Sequence, residues 1–309
     1  MQSLWMLFAS LAFAVMGVCV KLASELYSTS EIVMYRGTVG SILLLVLIVL
    51  RGGTLKTGMP WQHLLRGGVG VTSLWMWFYA IGALPLSTAM TLNYMSPIWI
   101  AAILFGAGWW QMRRAPAAGV HLEWPLAGAI GASFIGVILL LQPAFASNQL
   151  GSALIALVSG MVTAAAYLQV RKMGLRGEPE YRVVFYFSLM NVLAGVLGTY
   201  LVPGPAVWHA HTAHGAGLLL AIGACATAAQ IAMTRAYRLG KTLVVANLQY
   251  TGIVFSSIGG VLVFSDAFDW HNWAGISVIL ISGLAATFYN SRSTLRRGPT
   301  PPDPIATEI

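Results

Sequence analysis

Charge is what this chain has least of. Only 8% of its 309 residues are Asp, Glu, Lys or Arg, against roughly 25% in a soluble protein. Hydrophobic residues make up 58%, more apolar surface than a soluble fold can hide, so the chain is built for lipid. Cysteine is scarce too. Cys19 and Cys225 each lie inside an apolar run, where they read as small buried residues rather than as a reactive or bridged pair. The formal net charge of +8 does not point to nucleic acid, because the basic residues sit in short links between apolar runs, the pattern that sets membrane orientation. No Lys or Arg precedes the first apolar run, and the one A-x-A-like site, Ala12 to Ala14, falls in mid-run. The N-terminus therefore reads as a first span and not as a signal peptide.

Acidic side chains are the scarcest charged group. The nine are Glu25, Glu31, Glu123, Glu178, Glu180, Asp266, Asp269, Asp303 and Glu308, and none sits deep in an apolar run. A proton-coupled exporter of cationic drugs usually keeps a carboxylate at mid-membrane, where desolvation lifts its pKa. The lack of one counts against a cationic cargo. Enzyme signatures are missing as well: no G-x-S-x-G, no H-E-x-x-H, no Walker-type loop and no paired intramembrane acids. An enzyme is not expected, an intramembrane enzyme being left as an alternative, and no cofactor or metal is implied.

What is present is a series of ten apolar runs, approximately 4–23, 32–50, 64–84, 86–108, 125–141, 150–170, 183–202, 216–239, 242–264 and 273–290. Each approaches the ~20 residues that span a bilayer. Numbering the links in order, the even ones and the C-terminal tail hold Arg51, Lys56, Arg66, Arg113, Arg114, Arg171, Lys172, Arg176, Arg182, Arg235, Arg238, Lys241, Arg292, Arg296 and Arg297, fifteen of the 17 basic residues. With ten spans all of these share one side, together with both termini, and the positive-inside rule makes that side the cytoplasm. Ten spans divide into five and five. Five is odd, so the second half enters the membrane the other way up, as an inverted repeat.

One helical hairpin recurs and supports the division. Ala80–Phe105 contains A-L-P-L-S-T-A-M-T-L-N-Y-M-S-P, and Ala236–Val261 reads A-Y-R-L-G-K-T-L-V-V-A-N-L-Q-Y-T-G-I-V-F-S-S-I-G-G-V. Placed side by side, Asn93 faces Gln249 and Tyr94 faces Tyr250. A second echo matches Ala127-Gly128 through Gly136 with Ala274-Gly275 through Gly283. The expected units are residues 1–144, a first five-helix repeat, and 145–291, a second. Residues 292–309, polar and rich in Pro, are expected to form a disordered cytoplasmic tail.

On these residues the chain resembles the drug/metabolite transporter superfamily, EamA-type branch. The resemblance covers all ten runs and rests on Ala83–Pro97, on Ala236–Gly240 with Tyr250, and on V-F-S-D at Val263–Asp266. Members typically carry an acidic residue after the fourth and ninth helices. Asp266 fits the second place, whereas the first reads L-F-G-A-G-W-W-Q and has no acid. The resemblance implies ten helices with both ends in the cytoplasm, and transport of amino acids, sugars, metabolites or drugs, often outward.

Lys21 and Arg36 are the two basic residues expected near the outer face. Each reads in two ways: as an interfacial anchor, with Glu31 or Glu25 as a partner for Arg36, or as a positive entrance favouring a carboxylate on the substrate. Asn93, Tyr94, Gln249 and Tyr250 read either as interhelical glue or as the lining of a central cavity, and so do Gln169, Asn191, Gln230 and Asn247. Trp75, Trp77 and Tyr79 would add an aromatic wall or simply pack. Pro97 in mid-run either shapes that cavity or kinks the helix for packing. Gly252, Ser256 and Gly260 mark a close helix contact. His209, His211 and His214, in W-H-A-H-T-A-H, could catch a transition metal only with further ligands that the segment does not offer.

The expected molecule is an all-α integral membrane protein of the cell membrane. Ten transmembrane helices form two inverted five-helix repeats around one cavity lined by Arg36, Lys21, Tyr79, Asn93, Tyr94, Gln230, Gln249 and Tyr250. It would be a secondary transporter, in the exporting direction that the resemblance favours, of a small amino-acid-like or carboxylate-bearing metabolite. Multidrug-type efflux of neutral amphipathic compounds is the alternative. A coupling proton or ion and a homodimeric state stay open.

Overall fold

The structure, a computed structural model, describes residues 4–114, 149–201, 208–239, 248–266 and 269–296, with residue 245 and eight single positions between 128 and 139. Among these residues all regular structure is helical. In chain order the elements are α1 (Trp5–Ala23), α2 (Thr29–Leu50), α3 (Pro60–Ala83), α4 (Leu86–Asn93), α5 (Ser96–Arg114), α6 (Leu150–Leu175), α7 (Glu180–Leu201), α8 (Ala213–Leu239), α9 (Thr251–Phe264) and α10 (Trp270–Arg296). Lipid offers backbone groups no partner, so apolar runs of this length must satisfy their own hydrogen bonds as helices. Five of them, α1, α2, α6, α7 and α8, are both long and apolar enough to cross a membrane.

Local chemistry sets the ends. Ser28 opens α2 with a capping box: its hydroxyl accepts the Glu31 N–H, and the Glu31 carboxylate accepts the Ser28 N–H at 3.0 Å. Pro60 occupies the first turn of α3, where its missing N–H costs nothing. Ser265 ends α9 in the left-handed region at φ 53°, a conformation a short polar side chain tolerates better than most.

The fourth expected run, 86–108, arrives as two helices. The chain leaves helical geometry at Tyr94 and Met95 and resumes at Ser96. Pro97 is the cause: it cannot donate to the Asn93 carbonyl four residues back. Gly160 of α6 fills the gap left beside the break. A Cβ at Gly160 would lie 2.7 Å from the Leu92 carbonyl oxygen and 2.9 Å from that of Asn93, so only glycine lets α6 come this near. The ninth run shows an interruption at the matching place: residues 248 and 249 are helical, Tyr250 is a turn, and α9 follows.

The broadest interfaces pair α2 with α7, α1 with α8 and α3 with α6. Each joins the first part of the chain to the second, so the halves are interlocked. At the α2–α7 crossing a Cβ on Gly37 would stand 2.6 Å from the Ser188 carbonyl oxygen, a small-residue contact of the membrane type. The core between these pairs holds Phe13, Phe78, Trp77, Met90, Tyr94 and Phe187, among others.

The fifth run lies largely outside the described residues. Its described positions 128, 131, 132, 134–136, 138 and 139 are helical. Gly136 stands against α10, a Cβ there reaching to 3.0 Å from the Gly275 carbonyl oxygen. Helix α10 continues to Arg296, so residues 292–296, expected in the tail, are helical, the last turns of an uninterrupted run with no proline before Pro299. Asn247 and Lys241 fall outside the described residues.

Candidate functional site

Where α1, α3, α6, α7 and α8 meet the break between α4 and α5, they leave a small cavity. Phe13 comes from α1; Arg66, Gly70, Ser73, Leu74 and Trp77 from α3; and Asn93 and Tyr94 from the break. Thr163, Ala166 and Tyr167 come from α6, Phe187 from α7 and Gln230 from α8. Its volume is about 40 Å³, room for a few waters, whereas sites for small organic ligands run to roughly 300–1,000 Å³. This conformation is closed down, and a metabolite would need the surrounding helices to part.

The cavity is unusual in its charge. Arg66 is 3% exposed and its guanidinium carbon lies 4.2 Å from the centre of the Phe187 ring. Arg36, outside the cavity lining, is 2% exposed and stands 5.1 Å from the same ring centre. Arg66 fits because Gly70, one turn along α3, leaves its side chain the space a Cβ would take. Among the described residues the Nε of Arg36 and the Nε and Nη1 of Arg66 have no hydrogen-bond partner, and neither have the Trp77 Nε1 and the Tyr94 hydroxyl. Among the described residues no carboxylate pairs with either arginine. An unpaired buried ion is costly, several kcal/mol in real proteins. Such a set of idle donors can do one thing well, which is to receive an acceptor-rich anion.

On the far side of Asn93 the polar groups are satisfied. The Asn93 amide donates to Ser159 Oγ at 2.9 Å and to Thr163 Oγ1 at 3.3 Å. Ser73 joins them, bonding to Thr163 and to the Ser159 carbonyl. Gln249 is bound in the same manner from the second half. Its Nε2 donates to Ser96 Oγ at 3.1 Å and its Oε1 accepts from the Tyr237 hydroxyl at 3.0 Å. Both amides thus tie one half of the chain to the other, and Asn93 also faces the cavity. Tyr250 is buried with an unpartnered hydroxyl, like Tyr94.

The remaining residues of the expected site are placed elsewhere. Tyr79 is 47% exposed on the outer surface of the helix bundle, away from Trp77. The Lys21 ammonium donates to the Leu84 carbonyl at 2.7 Å and lies 4.9 Å from the Phe264 ring centre. Beside it the Asp266 carboxylate accepts the Leu86 N–H at 3.2 Å. The two side chains therefore clasp the turn between α3 and α4, each meeting a helix-end group without a partner of its own. Arg36 is neither snorkelling nor paired with Glu31 or Glu25. Its side chain turns inward to Phe187, and Glu31 has another partner.

That partner is His209. The His209 backbone N–H donates to Glu31 Oε1 at 2.9 Å, and its ring Nδ1 is 2.6 Å from Oε2. His211 sits between the Tyr35 hydroxyl at 2.7 Å and the Tyr27 hydroxyl at 3.1 Å. Two of the three clustered histidines thus fasten their link to the turn between α1 and α2. At the opposite end Glu178, in the link between α6 and α7, receives His63 Nε2 at 2.9 Å and Arg182 Nη1 at 3.1 Å. Burial pushes the Glu178 carboxyl up, but bonds from His63, Thr57 and Arg182 outweigh it and hold the group below the ordinary glutamate range.

Arg66 and Phe187 line the cavity although neither was expected there. Arg66 belongs by position to a basic link, and the positive-inside pattern absorbed it. The one available signal was R-G-G-V-G, a cation followed a turn later by glycine at 66 and 70, which provides the room for an inward-turned side chain.

Residues 1–142 match the EamA-like transporter family. The chain is 32% identical to the pseudopaline exporter CntI of Pseudomonas aeruginosa over 281 residues, 90% of this chain and 92% of the relative. It is 24% identical to a riboflavin transporter of Vibrio cholerae, with 95% of each chain covered. It is 21% identical to an S-adenosylmethionine uptake transporter of Rickettsia conorii, over 95% of this chain and 94% of that one. A solved crystal structure at 18% identity superposes with a TM-score of 0.63 over 93% of this chain and 98% of the other, a likeness of fold.

Proposed function

This chain belongs to the EamA-like transporter family, and from that premise we propose that it exports a small carboxylate-bearing metabolite by alternating access. It is a multi-pass membrane protein with a small-molecule cargo, and its relatives are transporters rather than enzymes. The observation that carries the carboxylate is the pair Arg36 and Arg66, buried without an acidic partner among the described residues. Outward movement is supported by the 32%-identical relative, which is an exporter. Of the more distant relatives one transports riboflavin and another takes up S-adenosylmethionine, and flux measurements on this chain test cargo and direction together.

The arrangement that goes with this function is ten spans in two inverted repeats, residues 1–144 and 145–291, with both termini in the cytoplasm. Exchange of the halves turns the α1–α8 interface into the α6–α3 interface and maps α2–α7 onto itself, and these are the three broadest contacts. The breaks at Tyr94 and Tyr250, the cross-half bonds of Asn93 and Gln249, and the approach of Gly136 to Gly275 support the same operation.

A second reading, efflux of neutral amphipathic compounds, is favoured by the aromatic lining of Phe13, Trp77, Tyr94 and Phe187. One experiment separates the two. Metabolite profiles of cells with and without the protein give the candidate cargoes, and flux from loaded proteoliposomes is then measured for wild type, Arg36→Lys, Arg36→Gln and Arg66→Gln at equal inserted protein. Loss of flux in the Gln variants, with Lys failing to restore the planar two-pronged grip, is the expected result. Full flux in all three sinks the carboxylate reading.

A further inference from the structure

Arg36 and Arg66 bring two positive charges to one aromatic ring, and among the described residues no carboxylate meets them. Their guanidinium carbons lie 5.1 and 4.2 Å from the centre of Phe187, and both side chains are more than nine-tenths buried. Like charges out of water repel strongly, and each has already given up its hydration. A single carboxylate settles only half of that charge, whereas two negative charges bound to the arginine pair leave it neutral, which a low-dielectric site favours. The other idle groups on the cavity wall, the Trp77 indole N–H and the Tyr94 hydroxyl, can both donate. No described carboxylate lines the cavity, so an ammonium group would find no counter-charge there.

We infer that the cargo binds as a dianion without an ammonium group, its two negative charges shared between Arg36 and Arg66 against the face or edge of Phe187. The charges are those of two carboxylates or of one phosphoryl group, since a planar guanidinium grips either one with two parallel bonds. Trp77 and Tyr94 complete the site by donating to acceptors on the same cargo. This rests on the carboxylate reading above and narrows it: a monocarboxylate or an amino acid satisfies that reading and fails this one.

The test uses the full-length protein in lipid nanodiscs, with thermal unfolding read against millimolar succinate, glycerol phosphate, butyrate and lysine. Succinate and butyrate are matched in carbon number and differ in charge. Succinate or glycerol phosphate is expected to raise the unfolding temperature with at least roughly tenfold higher apparent affinity than butyrate, the scale of one charge-assisted contact. Which of the two dianions acts distinguishes carboxylate from phosphoryl chemistry. In Arg66→Gln, and separately in Arg36→Gln, the preference should reverse, the dianion losing and butyrate holding or gaining, a change that poor folding cannot imitate. Equal stabilisation by butyrate and succinate in wild type overturns the dianion and leaves the carboxylate reading standing. Stabilisation by lysine alone overturns both. A wild type indifferent to every anion, or variants that keep the dianion preference, overturns the assignment to this arginine pair.

Discussion

Gly160 and Asn93 touch through the backbone: a Cβ on Gly160 would stand 2.9 Å from the Asn93 carbonyl oxygen. That carbonyl is free because Pro97 cannot donate to it, and the missing side chain lets α6 close over it. Gly160→Ala should therefore cost about 1–3 kcal/mol of stability, in the range of overpacking a tight core, and Gly160→Val more. Thermal unfolding in detergent checks it. An unchanged midpoint for both variants would show that α6 can stand off from the break at no cost.

Arg66 lowers the stability of the empty protein. Replacing it with Met removes an unpaired buried charge and its repulsion with Arg36, and such replacements are worth about 1–4 kcal/mol. Arg66→Met should melt later than wild type without cargo and should carry none. The pairing of higher stability with lost flux is the signature; a variant that melts earlier contradicts it.

Lys21 bonds to a turn and is expected to leave the cargo alone. Lys21→Met releases the Leu84 carbonyl and should cost about 1–2 kcal/mol. The apparent KM of the inserted protein should stay at the wild-type value, and Lys21→Arg should restore most of the stability. A large rise in KM with no loss of stability would put Lys21 back on the transport path.

Glu178 makes stability depend on pH in one direction. Its carboxyl titrates below the ordinary glutamate value, so its contribution is whole above the unfolded pKa, about 4.3, and fades as pH falls through the lower folded one. Glu178→Gln should melt earlier than wild type at neutral pH, by about 2 kcal/mol for bonds to a charged group. The two curves should converge in acid. A gap that widens on acidification would falsify the sign.

The His209–His214 link should face outward. With Cys19 and Cys225 replaced, a cysteine at 211 is expected to react with an impermeant maleimide on intact cells, and one placed in the C-terminal tail only after permeabilisation. The opposite pattern would invert the proposed topology.

Most of the helical frame was legible because lipid permits so few solutions: an apolar run of spanning length must be a helix. The break beside Pro97 was legible for the same kind of reason, since a missing N–H has one local consequence. The site was harder to read. Asn93, Tyr94 and Gln230 stand on the cavity wall, and so does Arg66, while Lys21 lies at the turn between α3 and α4. Arg66 and Lys21 are both basic residues within a turn or two of a helix end, and hydropathy alone cannot tell a side chain that reaches out from one that turns in. What decides is the neighbour across the gap: a free Leu84 carbonyl for Lys21, and the space left by Gly70 with the Phe187 ring for Arg66. Leu84 and Phe187 lie on or beside other helices and are invisible along a single run; Gly70 alone shares a helix with the residue it accommodates.

A cavity walled by donors and the Arg66 cation, with Arg36 close by and no described carboxylate in the lining, bears on energy supply. A cell keeps its interior electrically negative, and each negative charge that leaves gains about 2.3 kcal/mol for every 100 mV. An anionic cargo would then be driven out by the membrane voltage itself. Collapsing that voltage with a potassium ionophore should slow efflux, while dissipating a pH gradient at constant voltage should not. On this footing the protein would work as a rectifier for negative solutes and would need no titrating acid to drive them.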